Sequence, residues 1–600
     1  MPQYTAPLRD MKFVLEELLQ CETHYRDLVG CEEVDIDAIN AILHSGSKFA
    51  ENVIAPLNRS GDEQGCVFKD GQVFMPAGFK SAFEQYANGG WQGLSVPVVD
   101  GGQGLPGSCG MLLAEMTGSA NYAWSMIGGL AQAPINLLLA AGTEQQKKRY
   151  LPNLISGLWA GTMCLTEAHC GSDVGLLRTR ATRNADDSYT LTGTKIFISG
   201  GEQDITENIV HTVLARIEGA PKGTRGISLF IVPKKLIAED GSSGAANAVS
   251  CGSIEKKMGL KGSPTCVMNF DGAQGYLLGE ENGGLAIMFN IMNTARLGTA
   301  LQGVSMGEAS FQGAYRYAKE RLQMRSLTGV KNPDGPADPI IVHPDVRRML
   351  MTQKALTEGS RAFIYWLSQL VDKTRYGSEE EARKAEDLLS LLTPIAKAFC
   401  TETGFEVTNH GLQIFGGHGY IREHGMEQIV RDARIAMLYE GTTGIQSLDL
   451  LGRKVMGSGG KLLSNYTKLI HKFCLANESD EAMREFTVPL QAAIAQWAEL
   501  TTQIGTLAIE NADEIGSAAV DYTLFGGYVA VAFQWAKMSL ISQRYIESHS
   551  GEEASFYRGK LATARFYFTR ILPRAGAHAS AAAAGADTVM AIEEGELIAF

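Results

Sequence analysis

The chain has no cysteine pair with the spacing of a redox or zinc motif. Its ten cysteines are scattered between Cys21 and Cys474, and none forms a CxxC pair. Secreted domains join such residues in disulfides, whereas scattered cysteines are typical of a reducing compartment. We therefore expect a cytoplasmic protein with free thiols. Cys164 and Cys170 stand closest together, and we interpret them as packing residues.

Basic charge is also scarce. The 53 Lys and Arg residues are outnumbered by 66 Asp and Glu, which leaves a net charge of -13. Binding to nucleic acid depends on clustered Lys and Arg that neutralise phosphates, so this class of partner is excluded, and an anionic membrane surface is disfavoured. The first 19 residues are acidic and amphipathic rather than basic and then apolar, so no export signal is expected.

Long apolar runs are missing as well. The most apolar stretch, residues 124–142, contains Gln132, Pro134 and Asn136 and is barely long enough to cross a bilayer. We predict a buried core helix there and no transmembrane segment. The glycine-rich residues 101–107 resemble a nucleotide loop, but Pro106 and the lack of a βαβ context favour turns.

The sequence also contains a β-rich segment that lies between two helical segments. Short β-branched or aromatic runs occupy residues 188–200, 209–216 and 226–234, and long helical patterns precede and follow them. At 600 residues the chain needs several cores, so we predict an α+β protein. The predicted segments are an N-terminal extension 1–38, an N-terminal α domain 39–160, a middle β domain 161–283, an α-helical bundle domain 284–460 and an additional C-terminal α domain 461–600.

The C-terminal segment contains an apolar stripe with helical spacing. Its members are Leu490, Ile494, Trp497, Ile504 and Leu507. Such a face requires a surface to pack on, so we expect this region to stabilise the assembly rather than to supply catalytic groups. The alanine-rich residues 575–587 are interpreted as a helix end or a loose linker.

Glu440 precedes a glycine and two threonines in the sequence YEGTTGIQ. Taken alone, this pattern favours a helix N-cap over a catalytic carboxylate. Residues 165–175 and 413–425 are also rich in glycine, and exposed backbone amides of this kind suit phosphates. His418 and His424 lie six residues apart without a carboxylate cluster, so no metal is expected.

Five short motifs in a fixed order resemble the acyl-CoA dehydrogenase family, and the resemblance covers roughly residues 40–455. The C-terminal region and phrases such as ISGGEQDITENIVH further resemble the larger subgroup that includes 3-methylmercaptopropionyl-CoA dehydrogenase. The family's fold matches the predicted segments. The five motifs are TEAHCGSD at 166–173, FIS at 197–199, ERLQMR at 320–325, QIFGGHGY at 413–420 and YEGT at 439–442.

This resemblance implies an FAD-dependent oxidoreductase acting on CH–CH groups. It would convert an acyl-CoA thioester into trans-2-enoyl-CoA, either in fatty-acid β-oxidation or on a substrate of the 3-methylmercaptopropionyl-CoA type. An electron-transfer flavoprotein or a similar acceptor would reoxidise the flavin, and the enzyme would be a homodimer. Two alternatives stay open: an acyl-CoA oxidase and a non-catalytic flavoprotein of the same fold.

The resemblance also assigns the site residues. Glu440 is the catalytic base, and Ser172, Arg296 and Gly441 belong to the acyl-CoA cleft. Phe197 and Ser199 stand where the family often has Trp and Thr, and Met324 and Arg325 replace its usual Phe-Gly pair. The FAD-binding residues implied are Leu165, Thr166, Phe197 and Ser199 around the flavin ring, Thr442 and Gly444 in the same subunit, and Arg321, Gln323, Gln413, Gly416 and Gly417 against the FAD of the neighbouring subunit.

Overall fold

The computed structural model describes residues 3–238 and 240–598, except for the side chains of residues 290, 291 and 293. The chain divides into two compact units. The sheet unit contains residues 4–6 and 38–295, and the bundle unit contains most of the N-terminal residues up to 37 and everything from Arg296 onward. The five predicted segments are finer than this division, and their boundaries stay predictions.

The N-terminal arm of the bundle unit is helical. It consists of α1 (Leu8–Lys12), a π-helical turn (Phe13–Leu18) and α2 (Cys21–Arg26). Phe13, Val14 and Leu15 are buried, so the arm is part of a core rather than a loose extension.

The first part of the sheet unit is helical, as predicted. Asn121 accepts a hydrogen bond from the backbone of Trp124 and starts one of its helices, while Thr143 and Gln146 form a capping box at another. The elements are α3 (Ile36–Phe49), α4 (Leu57–Gln64), β1 (Val67–Lys69), β2 (Gln72–Phe74), α5 (Phe79–Asn88), α6 (Gly107–Ala120), α7 (Tyr122–Leu130), α8 (Gln132–Ala141) and α9 (Glu144–Ile155).

The predicted single helix over residues 124–142 is wrong in one respect, because this stretch forms two helices, α7 and α8. Pro134 lies in the first turn of α8, where its missing N–H is tolerated, but the ring disfavours continuation from α7. Among the described residues, Tyr122–Ala141 and Asp513–Ser548 are apolar and long enough to span a membrane, and 50% and 78% of their most apolar windows are buried in the protein.

A seven-stranded sheet forms the second part of the sheet unit. The strand order is β10-β11-β5-β4-β6-β3, and β7 pairs with both β11 and β6, so five strands close into a ring. The three predicted β runs correspond to β5, β6 and β7. The strands are β3 (Trp159–Cys164), β4 (Arg180–Arg183), β5 (Tyr189–Ser199), β6 (Asn208–Ile217), β7 (Ile227–Pro233), β8 (Lys235–Ile237), β9 (Ser243–Ala246), β10 (Val249–Ile254) and β11 (Thr265–Leu278); β8 and β9 form a separate pair.

Long helices build the bundle unit. The first begins in the sheet unit and enters the bundle unit at Arg296. A Cβ at Gly404 would lie 2.5 Å from the Cα of Gly303, so two of these helices cross with their backbones in contact. The helices are α10 (Gly284–Glu320), α11 (Pro344–Tyr376), α12 (Glu379–Phe415), α13 (Met426–Arg434), α14 (Thr443–Leu448), α15 (Lys461–Ala476), α16 (Arg484–Leu507), α17 (Asp513–Ser548), α18 (Glu552–Phe566), α19 (Arg574–Ala582) and α20 (Asp587–Met590).

The C-terminal stripe lies on α16 and is mostly buried, with one exception. Leu490, Ile494, Trp497 and Ile504 are buried, but Leu507 is 41% exposed because it is the last residue of the helix. The alanine-rich residues up to Ala582 belong to α19, and residues 583–586 follow its end, so this stretch is a helix end as one of the two interpretations predicted.

Candidate active site

Glu440 occupies a tight turn between a short 3-10 helix and α14. Its φ is 55° and that of Gly441 is 92°, so two successive residues adopt the left-handed conformation. A side chain in this conformation is uncommon and is maintained only where the surroundings enforce it. The N-cap of α14 is Thr442, whose hydroxyl accepts a hydrogen bond from Ile445 N at 3.2 Å. The helix-cap interpretation of Glu440 is therefore wrong, and its carboxylate is not used to start the helix.

Two buried cations act on the carboxylate of Glu440. Burial raises its pKa, while the charges of Arg296 and Lys397 lower it. Arg296 is itself buried on α10, and its Nη1 lies 3.7 Å from Oδ2 of Asp449. A carboxylate in a partly desolvated site is a stronger base than one in water, which suits proton abstraction near neutral pH.

Lys397 is a residue that the sequence did not reveal. It lies on α12, is fully buried, and donates a hydrogen bond from Nζ to the carbonyl of Gly441 at 2.5 Å. Burial lowers its pKa to about 8, and Glu440 and Glu402 oppose that change. The only sequence signal is a charged residue inside the apolar run LLTPIAKAFC, since a lysine there has to find a partner.

The two motifs predicted to meet a neighbouring FAD lie close together in the bundle unit. Arg321 and Gln323 follow the end of α10 and are exposed, and Gln413, Gly416 and Gly417 are exposed at the end of α12. The ring of Tyr317 stacks on Phe415 at 4.0 Å and its hydroxyl lies 2.9 Å from His418 Nδ1, which joins these two helix ends. His418 also stacks on His424 at 4.6 Å.

The segment after Arg321 is organised around the buried Asp338. Its carboxylate accepts hydrogen bonds from the backbone N–H groups of Ser326, Lys331 and Asn332 at 2.7–2.9 Å. Met324 has a φ of 61° and projects outward, while Arg325 turns back to the carbonyls of Asn332 and Gly335. The two residues that depart from the family pattern thus have different roles, one exposed and one within the loop.

The predicted flavin residues of the sheet unit also lie together. Leu165 and Thr166 follow β3, and Ile196 N on β5 donates to the carbonyl of Thr166 at 2.9 Å. Phe197 has a φ of 59° and is 59% exposed, and Ser199 is half-buried on the same strand. An exposed aromatic ring beside two loop residues fits a planar ring system such as a flavin. Ser172 is exposed in the loop that follows.

A buried ion pair holds this loop on the sheet. Lys195 donates from Nζ to the carbonyl of Leu165 and to Oε1 of Glu167, both at 2.9 Å. Glu167 also accepts bonds from Arg178 N and from both the amide and hydroxyl of Thr179. Glu167, His169 and Cys170 each place one possible ligand atom within 4.8 Å of the others, but the carboxylate of Glu167 already accepts four hydrogen bonds from the protein.

Comparison with known proteins decides the family. The chain matches the family models for the acyl-CoA dehydrogenase N-terminal domain (residues 37–158), middle domain (162–273) and C-terminal domain (282–456), and the model described as acetyl-CoA dehydrogenase C-terminal like (466–593). It is 39% identical to the 3-methylmercaptopropionyl-CoA dehydrogenase of Ruegeria pomeroyi, over 96% of this chain and 97% of that protein. The chain belongs to the acyl-CoA dehydrogenase family.

Two further relatives agree with this placement. The broad-specificity linear acyl-CoA dehydrogenase FadE5 of Mycobacterium tuberculosis is 33% identical over 96% of each chain. A crystal structure of an acyl-CoA dehydrogenase from Bacillus anthracis in complex with FAD shares the fold with a TM-score of 0.72 and 24% identity, over 96% of this chain and 91% of that one. The predicted family, fold class, enzyme class and FAD dependence are confirmed.

Proposed function

We propose that Glu440 of this acyl-CoA dehydrogenase removes the α-proton of an acyl-CoA thioester. The observation that carries the proposal is the position of its carboxylate, held in a left-handed turn, kept out of the helix cap and faced by the buried Arg296 and Lys397. A thioester α-hydrogen is a weak acid, so the base must be desolvated and the carbonyl must be polarised.

The residues of this turn have two tasks in the proposed reaction. The carboxylate of Glu440 takes the α-proton, and its backbone N–H donates to the thioester carbonyl, where negative charge develops. Arg296 and Gly441 line the same turn, and we assign them to the acyl-CoA cleft together with Ser172. Bound FAD supplies the acceptor for the β-hydrogen, which leaves as hydride.

The flavin-binding residues follow from the same resemblance. We assign Leu165 and Thr166 to the pyrimidine edge and Phe197 and Ser199 to the ring, because Phe197 presents an exposed aromatic ring close to the loop that carries Thr166. Thr442 contributes through its backbone, since its hydroxyl caps α14, and Gly444 lies in the first turn of that helix.

We infer a homodimer in which Arg321, Gln323, Gln413, Gly416 and Gly417 contact the FAD of the partner. The support is their common exposure at two adjoining helix ends. An electron-transfer flavoprotein or a similar protein is the proposed acceptor. A cytoplasmic location is proposed because all ten cysteines are free thiols.

For the substrate we propose a short acyl-CoA of the 3-methylmercaptopropionyl type. The support is the 39% identity to the Ruegeria enzyme over nearly the whole of both chains. The test is anaerobic reduction of the bound flavin by a panel of acyl-CoA thioesters, with an artificial acceptor to measure turnover. We expect short and thioether-containing chains to have the highest kcat/KM. A maximum at long chains would contradict this assignment, and rapid reoxidation by air would favour the oxidase.

A further inference from the structure

A buried lysine touches the turn that carries the proposed base, although it is remote from that turn in sequence. We propose that Lys397 is a positioning residue, which holds the left-handed turn at Glu440 and Gly441 and keeps the base ionised. This inference rests on the proposed role of Glu440.

The geometry gives Lys397 a clamping role. Its Nζ donates a hydrogen bond to the carbonyl of Gly441, and the two atoms lie 2.5 Å apart. A Cβ at Gly441 would lie 2.2 Å from Nε2 of the buried Gln446, so the turn also packs closely against that side chain. Removal of the Lys397 ammonium group leaves this strained peptide without its hydrogen-bonded anchor.

The charges around Lys397 explain its second role. The pKa of Lys397 is affected by the charges of Glu440, Glu402 and Arg296. The pKa of Glu440 is affected by the charges of Lys397 and Arg296. Thr443 donates a hydrogen bond to Glu402 at 2.6 Å, which fixes that carboxylate. Because an adjacent cation stabilises the charged form of a carboxylate, Lys397 counteracts the effect of burial on Glu440.

The sign of the pH dependence follows from these contacts. The reaction requires Glu440 without its proton, so its rate rises as pH increases through the pKa of this residue. Lys397 loses its proton near its own pKa of about 8, and its hydrogen bond to the carbonyl of Gly441 is then no longer charge-assisted, so the turn that positions Glu440 loosens. We therefore expect the rate of flavin reduction to fall again on the alkaline side.

The test uses the FAD-loaded full-length enzyme and the variants Lys397→Met and Lys397→Arg. Lys384→Met is the matched control, because this lysine lies on the same helix and its side chain is 68% exposed. Single-turnover anaerobic bleaching by saturating acyl-CoA is measured across the pH range, together with FAD content, thermal stability and the substrate concentration for half-maximal rate.

We expect the flavin of Lys397→Met to bleach about tenfold more slowly than that of the wild type at neutral pH. In the plot of rate against pH, the rise on the acid side (the acid limb) should move upward by about one pH unit. The fall on the alkaline side (the alkaline limb) should be lost. Lys397→Arg retains a charge that does not titrate, so it should keep the acid limb and lose the alkaline one. Lys384→Met should behave as the wild type.

A Lys397→Met enzyme with full FAD and the wild-type pH profile would overturn the proposal, as would a uniform loss at every pH. If Lys397→Met does not fold, an alkaline limb that persists in Lys397→Arg overturns it. A wild-type enzyme that no acyl-CoA bleaches would instead contradict the proposed function.

Discussion

At the scale of single residues, two buried lysines contact the predicted motif segments through partners that are distant in sequence. Lys195 is fully buried and connects the carbonyl of Leu165 with the carboxylate of Glu167. The carboxylate lowers the cost of burying the ammonium, and the pKa of Glu167 falls to about 2 against the effect of its burial. This ion pair therefore fixes the loop that is assigned to the pyrimidine edge of the flavin.

We predict that Lys195→Met weakens both the fold and FAD binding. Removing one partner leaves a buried charge unpaired, which typically costs about 3–5 kcal/mol. Urea denaturation and the FAD dissociation constant are the measurements. The double variant Lys195→Met/Glu167→Gln should recover part of the stability, because neither charge then remains unpaired. Equal stability of the wild type and Lys195→Met would contradict this reading.

The motif residues were predictable from the sequence, but their supporting residues were not. Glu440 and Thr166 stand in short motifs, so a local pattern is enough to find them. Lys195 and Lys397 gain their roles from hydrogen bonds to loops elsewhere in the chain, and no local spacing encodes such a contact. The helix-cap alternative for Glu440 failed because the backbone turns left-handed before the helix begins at Thr443.

At the scale of elements, the segment between α10 and α11 is held by one carboxylate. Asp338 accepts three backbone N–H bonds, and its own backbone pairs with Gln323 and Met324. Desolvation opposes ionisation of this carboxyl, but its hydrogen bonds outweigh that effect and lower the pKa of Asp338 to about 2. Because the folded-state pKa is depressed, its contribution is complete above the ordinary carboxyl pKa of about 4 and is lost as pH falls through about 2.

We predict that Asp338→Asn weakens FAD binding while leaving the chemical step intact. An amide cannot accept as many hydrogen bonds, so the backbone from Ser326 to Asn332 loosens and carries Arg321 and Gln323 with it. Equilibrium titration of the apoenzyme with FAD should show a weaker dissociation constant. FAD-saturated enzyme should bleach at the wild-type rate.

Asp334→Asn in the same loop is the matched control, because Asp334 is exposed and its substitution should leave FAD affinity unchanged. An Asp338→Asn enzyme with wild-type FAD affinity would show that the loop does not position the cofactor contacts.

The helices and strands were easier to predict than the turns between them. Short runs of β-branched or aromatic residues located β5 to β7, and the long helical pattern that follows them located α10. The break between α7 and α8 was missed because apolar residues continue through it, and only Pro134 marks it. The conformation of the loop around Asp338 depends on one buried carboxylate that accepts hydrogen bonds from three backbone N–H groups. The residue types alone do not reveal such an arrangement.

At the scale of the whole molecule, buried charges join the N-terminal arm to the C-terminal helices within the bundle unit. Arg361 on α11 contacts Asp10 of α1 at 2.5 Å and Glu308 of α10 at 2.7 Å. Lys560 of α18 contacts Asp10 and also Glu358, the latter at 2.9 Å. Segments from both ends of the chain therefore share one buried ionic network.

The region after residue 460 supplies much of the core of this unit. Trp535 of α17 donates from Nε1 to the carbonyl of Ala355 at 3.0 Å, and Trp497 of α16 is surrounded by Tyr466, Tyr522 and Phe525. These contacts support the expectation that the C-terminal helices stabilise the protein.

We predict that Trp497→Ala lowers the free energy of unfolding by about 3–5 kcal/mol, because it leaves a cavity among aromatic rings. Leu507→Ala is the control, since that leucine is 41% exposed at the end of the same helix and should change stability little. Thermal unfolding and light scattering are the measurements. A Trp497→Ala variant with the wild-type free energy of unfolding would show that the buried part of the stripe on α16 does not stabilise the bundle.

The role of Glu440 as the base is tested by the substitution Glu440→Gln. The amide retains the shape of the carboxylate but cannot accept the α-proton, and loss of a general base commonly costs about 100- to 10,000-fold. The measurement is the anaerobic rate of flavin bleaching by saturating acyl-CoA, with FAD content and thermal stability recorded on the same samples. We expect full FAD, an intact fold and a rate reduced by at least about 100-fold. A Glu440→Gln enzyme that bleaches at the wild-type rate would contradict it.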